Sequence, residues 1–124
     1  MTKENIIIKN IRKNILKKTF DAKSSHIGSC FSIFEILYTI YFHQLKNKDT
    51  FILSKGHAAL ALYSTLNQKG ILSKRSLDSY GKNNSNLMSH VSHKVKGVEF
   101  STGSLGHGLP YAVGKALGEK INKK

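Results

Sequence analysis

The sequence has a single cysteine, Cys30, a single proline, Pro110, and only 7 acidic residues against 20 basic ones in 124 positions. A lone cysteine excludes an internal disulfide framework and fits a reducing compartment. So few acids leave no pair spaced for glycosidase work, and any general acid–base carboxylate must come from elsewhere. No apolar run approaches the roughly 20 residues that a membrane span requires. The N-terminus lacks the apolar core and small-residue cleavage site of a secretory signal. A soluble, cytoplasmic chain is expected.

What is present reads as ordinary globular protein: 40% hydrophobic, 22% charged and 10 Gly, which excludes disorder and collagen. The length corresponds to one modest domain with one small core. The net charge of +13 raises the question of a nucleic-acid surface. Against it, the basic residues are almost all lysines, with Arg12 and Arg75 as the exceptions, whereas groove reading favours arginine forks. The lysines run from Lys3 to Lys124, among many Ile and Asn, without clustering. Solvated surface lysine is the simpler reading. A basic module that binds nucleic acid or a regulatory partner without catalysis is the alternative from another class.

Residues 4–20 carry Ile7, Ile8, Ile11, Ile15 and Leu16 at helical spacing, with Lys9, Lys13 and Lys17 outside. Residues 21–31 read as a loop. Ser32 and Glu35 have capping-box spacing ahead of an apolar run from Ile33 to Phe42. Ile33, Ile36, Leu37, Ile40 and Tyr41 mark its predicted buried stripe. Phe51-Ile52-Leu53 reads as a buried strand, Ser54-Lys55-Gly56-His57 as a tight turn, and residues 58–68 as a helix ended by Gly70. A short helix from Ser73 and an extended loop over 81–97 follow. Gly103-Ser104-Leu105-Gly106-His107-Gly108 is a second glycine turn, leading into a helix over 109–121. Gly106, Pro110, Gly114 and Gly118 recur every four residues. Glycine inside a helix is unfavourable by up to about 1 kcal/mol relative to alanine, so this face predicts a second backbone lying very close.

The turn at 103–108 reverses the order of the dinucleotide fingerprint, and Gly108 to Gly114-Lys115-Ala116 misses a P-loop in spacing and in its magnesium hydroxyl. Neither mononucleotide reading survives. Two glycine-rich turns leading into helices do survive, and their exposed amides suit a diphosphate or another anion. His26, His57, His90 and His107 all sit in or beside loops, next to Gly or Ser. Loop imidazoles of this kind can meet a ligand and pass protons near pH 7, although each alone also reads as a solvated surface histidine. His90-x-x-His93 with Cys30 or His26 is no recognised zinc framework, and no metal site is assigned.

Taken in order, these segments resemble the thiamine-diphosphate-binding region of the transketolase family. His26-Ile27-Gly28 with Ser32-Ile33 is similar to the family's S-G-H-x-G-G segment. Phe51-Ile52-Leu53-Ser54-Lys55-Gly56-His57 resembles R-F-x-L-S-K/N-G-H, with Ala59, Leu62 and Tyr63 in place after it. His90 falls at the histidine of G-H-P. Gly97-Val98-Glu99, Ser101-Thr102-Gly103-Ser104-Leu105-Gly106 and Gly108 resemble G-V-E-x-S/T-T-G-S/P-L-G-Q-G. Ala112-Val113-Gly114, Ala116 and Glu119-Lys120 resemble the helix that comes next. Ser25, His107 and Val91 depart from the family's Gly, Gln and Pro. The S-K-G-H form is closest to the type whose N- and C-terminal halves are separate subunits, while a deoxyxylulose-phosphate synthase more often reads G-H-Q there.

The resemblance implies an α/β fold: the N-terminal part of a thiamine-diphosphate-binding parallel-sheet domain, helix-rich, with one or two strands and residues 1–124 forming a partial domain. It implies transfer of a two-carbon ketol unit between sugar phosphates, the cofactor supplying the hard chemistry. By position, His57 would lie near the diphosphate and the reacting centre. Gly103, Ser104 and Leu105 would line the cofactor, and His26 and His90 would contact donor hydroxyls and move protons. The family's magnesium ligands, a G-D-G motif and a later Asn, fall beyond Lys124, so Mg2+ is expected to be held outside this chain. The pyrimidine-activating Glu is likewise expected from a complementary chain or C-terminal subunit in an oligomer. Without a partner covering its apolar faces, the chain is expected to be marginal, oligomeric or aggregation-prone.

Overall fold

The computed structural model describes residues 2–122. Helix α1 (Lys3–Asp21) starts at Thr2, whose hydroxyl accepts the Asn5 amide at 3.2 Å. Glu4 in its first turn and Lys18 in its last complement the helix dipole. Ile11 and Ile15 are fully buried, and Ile7 and Ile8 pack at the margin of the core. Leu16 does not join them: it is half exposed and lies beside Phe20 on the outside.

The segment expected to be a loop after α1 holds a short helix, α2 (Ile27–Phe31). That helix pre-empts the capping box. Ser32 becomes the C-cap of α2, its hydroxyl donating to the Ser29 carbonyl and accepting Lys55 Nζ at 2.7 Å. Helix α3 (Phe34–Thr39) then runs into a π-turn (Ile40–Gln44), closed by the Leu45 amide on the Ile40 carbonyl at 2.8 Å. The buried stripe is Phe34, Leu37, Tyr38 and Tyr41, whereas Ile36 faces out. The large aromatic rings remove more apolar surface from water than isoleucine does, and they set the rotation of the helix.

A 3-10 turn (Gly56–Ala58) leads into α4 (Ala59–Gln68), the centre of the molecule. Every residue from Ala58 to Leu66 is buried, as an all-round apolar helix demands. Helices α1, α2, α3 and α5 (Lys74–Leu77) pack on it. Gly70 closes α4 with φ +81, and Ser73 caps α5 by accepting the Ser76 amide, as expected. Residues 81–97 form no helix or strand, yet they cover the core with Leu87, Val91 and Val95.

Among the described residues there is no strand. Phe51-Ile52-Leu53 is without regular structure, and the Leu53 carbonyl is taken by the Thr102 hydroxyl at 2.6 Å. A strand exists only by pairing with another, and none lies alongside. The helix-rich character is therefore present, while the parallel sheet is not formed here. Helix α6 (Gly108–Ile121) follows the second glycine turn. Gly114 and Gly118 face open space, so the close backbone expected there is absent among the described residues. No described helix is long and apolar enough to cross a membrane.

Candidate functional site

Two glycines hold the two turns together. A Cβ on Gly56 would lie 2.2 Å from the Thr102 carbonyl oxygen, and one on Gly108 would lie 2.5 Å from Ser54 Cβ. Segments 54–57 and 102–108 thus meet at backbone distance, pinned by the bond from Thr102 to Leu53. Thr102 is only 4% exposed. Its role had no local signal, because its partners lie far away in the sequence.

Onto this base the fold brings three imidazoles from three segments. His26 precedes α2 in the left-handed region, φ 70, a conformation that strains a non-glycine residue by on the order of 1–3 kcal/mol. His57 sits within the 3-10 turn fixed by Gly56. His90 comes from the loop before Val91, with its carbonyl accepting the hydroxyl of the fully buried Tyr63 at 3.2 Å. The ring centroids are 4.7 Å apart for His26 and His57, 5.2 Å for His26 and His90, and 4.6 Å for His57 and His90. All three pairs meet edge to face. Gly103 lies against this group: a Cβ there would sit 3.7 Å from His90 Cδ2. Ser104 and Leu105 follow on the exposed part of the turn, Leu105 being 72% exposed.

Burial, reinforced by the neighbouring His57 and His26, lowers the His90 pKa below its ordinary value. His90 is therefore neutral near pH 7, with one ring nitrogen to donate and one to accept. Nδ1 of His26 is buried and has no hydrogen-bond partner. Such an orphaned polar atom is unfavourable by about 1–3 kcal/mol and marks a place where a ligand atom would be satisfied. The other histidines are elsewhere. His93 is bound to Ser101 through Nδ1 at 2.8 Å, His43 lies 3.7 Å from Glu4, and His107 is exposed at the start of α6. The sequence pair His90-x-x-His93 is thus split by the fold. Cys30 is buried, its thiol pushed up by burial, and it is not one of the clustered groups.

With this geometry in place, comparison with known proteins is decisive. The family model described as "Transketolase, thiamine diphosphate binding domain" matches residues 3–124. The chain belongs to the transketolase family. It is 37% identical over 121 residues to a subunit of the apulose-4-phosphate transketolase of Phocaeicola vulgatus, covering 90% of this chain and 43% of that one. Similarity to the 6-deoxy-6-sulfo-D-fructose transketolase subunit SqwG of a Clostridium species is 34% over 122 residues, covering 90% and 44%. The transketolase of Homo sapiens is 36% identical over 123 residues, covering 92% of this chain and 20% of its own. The chain therefore spans less than half the length of each of these transketolase relatives.

Magnesium is a poor match for the clustered groups. The one group of candidate metal ligands among the described residues is the three imidazoles, whereas Mg2+ takes oxygen ligands in near-octahedral geometry. Thiamine diphosphate is a better match for this face of the transketolase domain. Its polar atoms would meet imidazole nitrogens, an orphaned Nδ1 and the amides of the 103–105 turn.

Proposed function

We propose that this chain supplies one side of the thiamine diphosphate site of a transketolase-like enzyme that moves a two-carbon ketol unit between sugar phosphates. The observation that supports it is the meeting of His26, His57 and His90 beside Gly103, at the positions where the family motifs place cofactor and donor contacts. When bound, thiamine diphosphate supplies the electron sink for breaking and remaking the carbon–carbon bond.

The chain's own residues bind and orient. His57 and the amides at Gly103, Ser104 and Leu105 hold the diphosphate side of the cofactor, with His57 reaching the reacting centre. His26 and His90 hold hydroxyls of the ketose donor. The neutral His90 accepts a proton from a hydroxyl at one ring nitrogen and returns one from the other. Tyr63 and the Gly56–Thr102 contact keep these rings in place and limit water behind them.

In this reading residues 1–124 act as part of a domain, alongside a complementary chain. Relatives that are named as transketolase subunits support that arrangement, as does the apolar side of α6. Leu109, Val113, Leu117 and Ile121 recur every four residues along it, and each is at least half exposed. Calorimetry with thiamine diphosphate and Mg2+ tests the proposal. Heat of binding is expected once the complementary chain is present and much less without it. No heat in either case would overturn the cofactor role.

A further inference from the structure

Helix α1 buries Ile11 and Ile15 in the core, yet Leu16, Phe20 and, at the start of α2, Ile27 remain outside, Phe20 being 84% exposed. Scattered apolar residues on a surface need no explanation, whereas a contiguous group does. Leu16 and Phe20 line two adjoining hollows. One continues along α1 past Lys9, Lys13 and Lys17, and the other continues past Lys23 to Ile27. We propose that this ridge and its two hollows are the docking surface for an acidic amphipathic helix of a partner protein. The helix lays its apolar side on Leu16, Phe20 and Ile27 and sets its carboxylates against the flanking lysines. The surface uses none of the residues placed in the cofactor site, and the proposal does not rest on the transketolase-like role.

Charge decides the kind of partner. Lys9, Lys13 and Lys23 are exposed and make no ion pair among the described residues. Only Arg12, 3.6 Å from Glu35, and Lys17, 3.2 Å from Asp21, have carboxylates beside them on this rim. The patch therefore keeps a surplus of positive charge around an apolar centre. A second copy of this chain would set the same lysines against them, on a molecule of net charge +13. Like charges opposed across an interface are strongly unfavourable, so self-association does not fit this surface. A partner rich in carboxylates does.

An anionic membrane shares that charge but not the shape. A helix lying on a bilayer sinks its own apolar side into the lipid, and the Ile11–Ile15 side of α1 is already packed in the core. Asp21 lines both hollows beside Phe20, so pressing that ring into lipid would bring a carboxylate onto anionic headgroups. A protein helix can fill the hollows on either side of the ring with its own side chains and place a donor opposite Asp21. Aromatic rings are enriched at the centres of such interfaces.

The test is fluorescence anisotropy of a labelled synthetic helix of about 18 residues, with Leu and Phe on one side and Glu elsewhere, titrated with the full chain at about 0.15 M salt. Saturable binding of one peptide per chain is expected. Phe20→Ser should weaken it by about tenfold or more, and Lys9→Glu with Lys13→Glu should do the same and flatten its salt dependence. Leu117→Ser, on the apolar side of α6, should leave it unchanged. No binding, affinity unchanged in Phe20→Ser, or equal binding of a peptide whose Leu and Phe are replaced by Ser would overturn the proposal. So would loss of binding in Leu117→Ser alone, which would move the surface to α6. Two further measurements address the other occupants. Tighter binding to phosphatidylserine–phosphatidylcholine vesicles than to the peptide would assign the patch to a membrane, and self-association abolished by Phe20→Ser would assign it to a second copy. Phe20 and the lysines are exposed, so these variants are expected to fold, as thermal unfolding would verify. None of these outcomes alters the calorimetric result with thiamine diphosphate, so the two readings fall separately.

Discussion

The base of the site and helix α6 are neighbours in sequence and opposites in packing. At the base, the two glycine turns approach so closely that a Cβ on Gly56 or Gly108 would overlap the other turn, and α4 beneath them is buried from Ala59 to Leu66. Helix α6 is fastened only near its start and along one side. Gly108 rests on Ser54, Tyr111 stacks on Phe100 at 3.9 Å, and Lys115 pairs with Glu99 at 3.0 Å. Leu109, Val113, Leu117 and Ile121 on its other side stay exposed. The chain thus completes the scaffold of its imidazole cluster internally and leaves one apolar side of α6 exposed. Glycine carries opposite meanings: at Gly56 and Gly108 it permits contact, and at Gly114 and Gly118 it fronts open space.

Substitution at these glycines breaks the comparison most sharply. Gly56→Ala places a methyl 2.2 Å from the Thr102 oxygen, and neither backbone can yield without parting the turns. A loss of about 3 kcal/mol or more is expected, read by chemical denaturation. Thr102→Val keeps the shape but leaves the Leu53 carbonyl unsatisfied, and about 1–3 kcal/mol of stability should be lost. In α6 the sign reverses. Gly114→Ala meets nothing within 4 Å and should stabilise the free chain by up to about 1 kcal/mol through helix propensity alone. If a partner backbone lies on that face, the same change should weaken the complex. Leu117→Lys should alter stability by no more than about 0.5 kcal/mol while shifting size-exclusion elution toward monomer.

A pH series sharpens the contrast further. His90 has a folded-state pKa below its unfolded value, so the unfolded chain binds the proton more readily. The stability from a neutral His90 is present above the unfolded pKa near 6.5 and is lost as pH falls through the folded one. The unfolding midpoint should drop on mild acidification, and His90→Gln should flatten that part of the profile. A profile identical in both proteins would show that His90 is not desolvated by the cluster.

Local signals were readable in advance, and nonlocal ones were not. The helices at 4–20, 58–68 and 109–121 carry their own periodicity, and Gly70 and Ser73 announce a stop and a start in a few residues. Ser32 misled because α2 claims it first, and burial of the Phe34, Tyr38 and Tyr41 rings turned Ile36 out of the stripe that simple spacing assigns. The segment 51–53 has the composition of a strand, but composition cannot supply the strand it must pair with. Within the site, family motifs named His26, His57 and His90. Their edge-to-face packing, the Gly56–Thr102 contact and the Tyr63 bond depend on residues brought together by the fold, such as Leu53 and Thr102, 49 positions apart.

The central claim is that the rings of His26, His57 and His90 act as one group facing a bound cofactor beside Gly103. The direct measurement is imidazole-selective NMR of this chain, held with its complementary chain, during titration with thiamine diphosphate and Mg2+. The three ring signals should move together and saturate at one ratio, while those of His43 and His93 stay fixed. If cofactor binds and these three signals remain where they were, or respond independently of one another, the account is wrong.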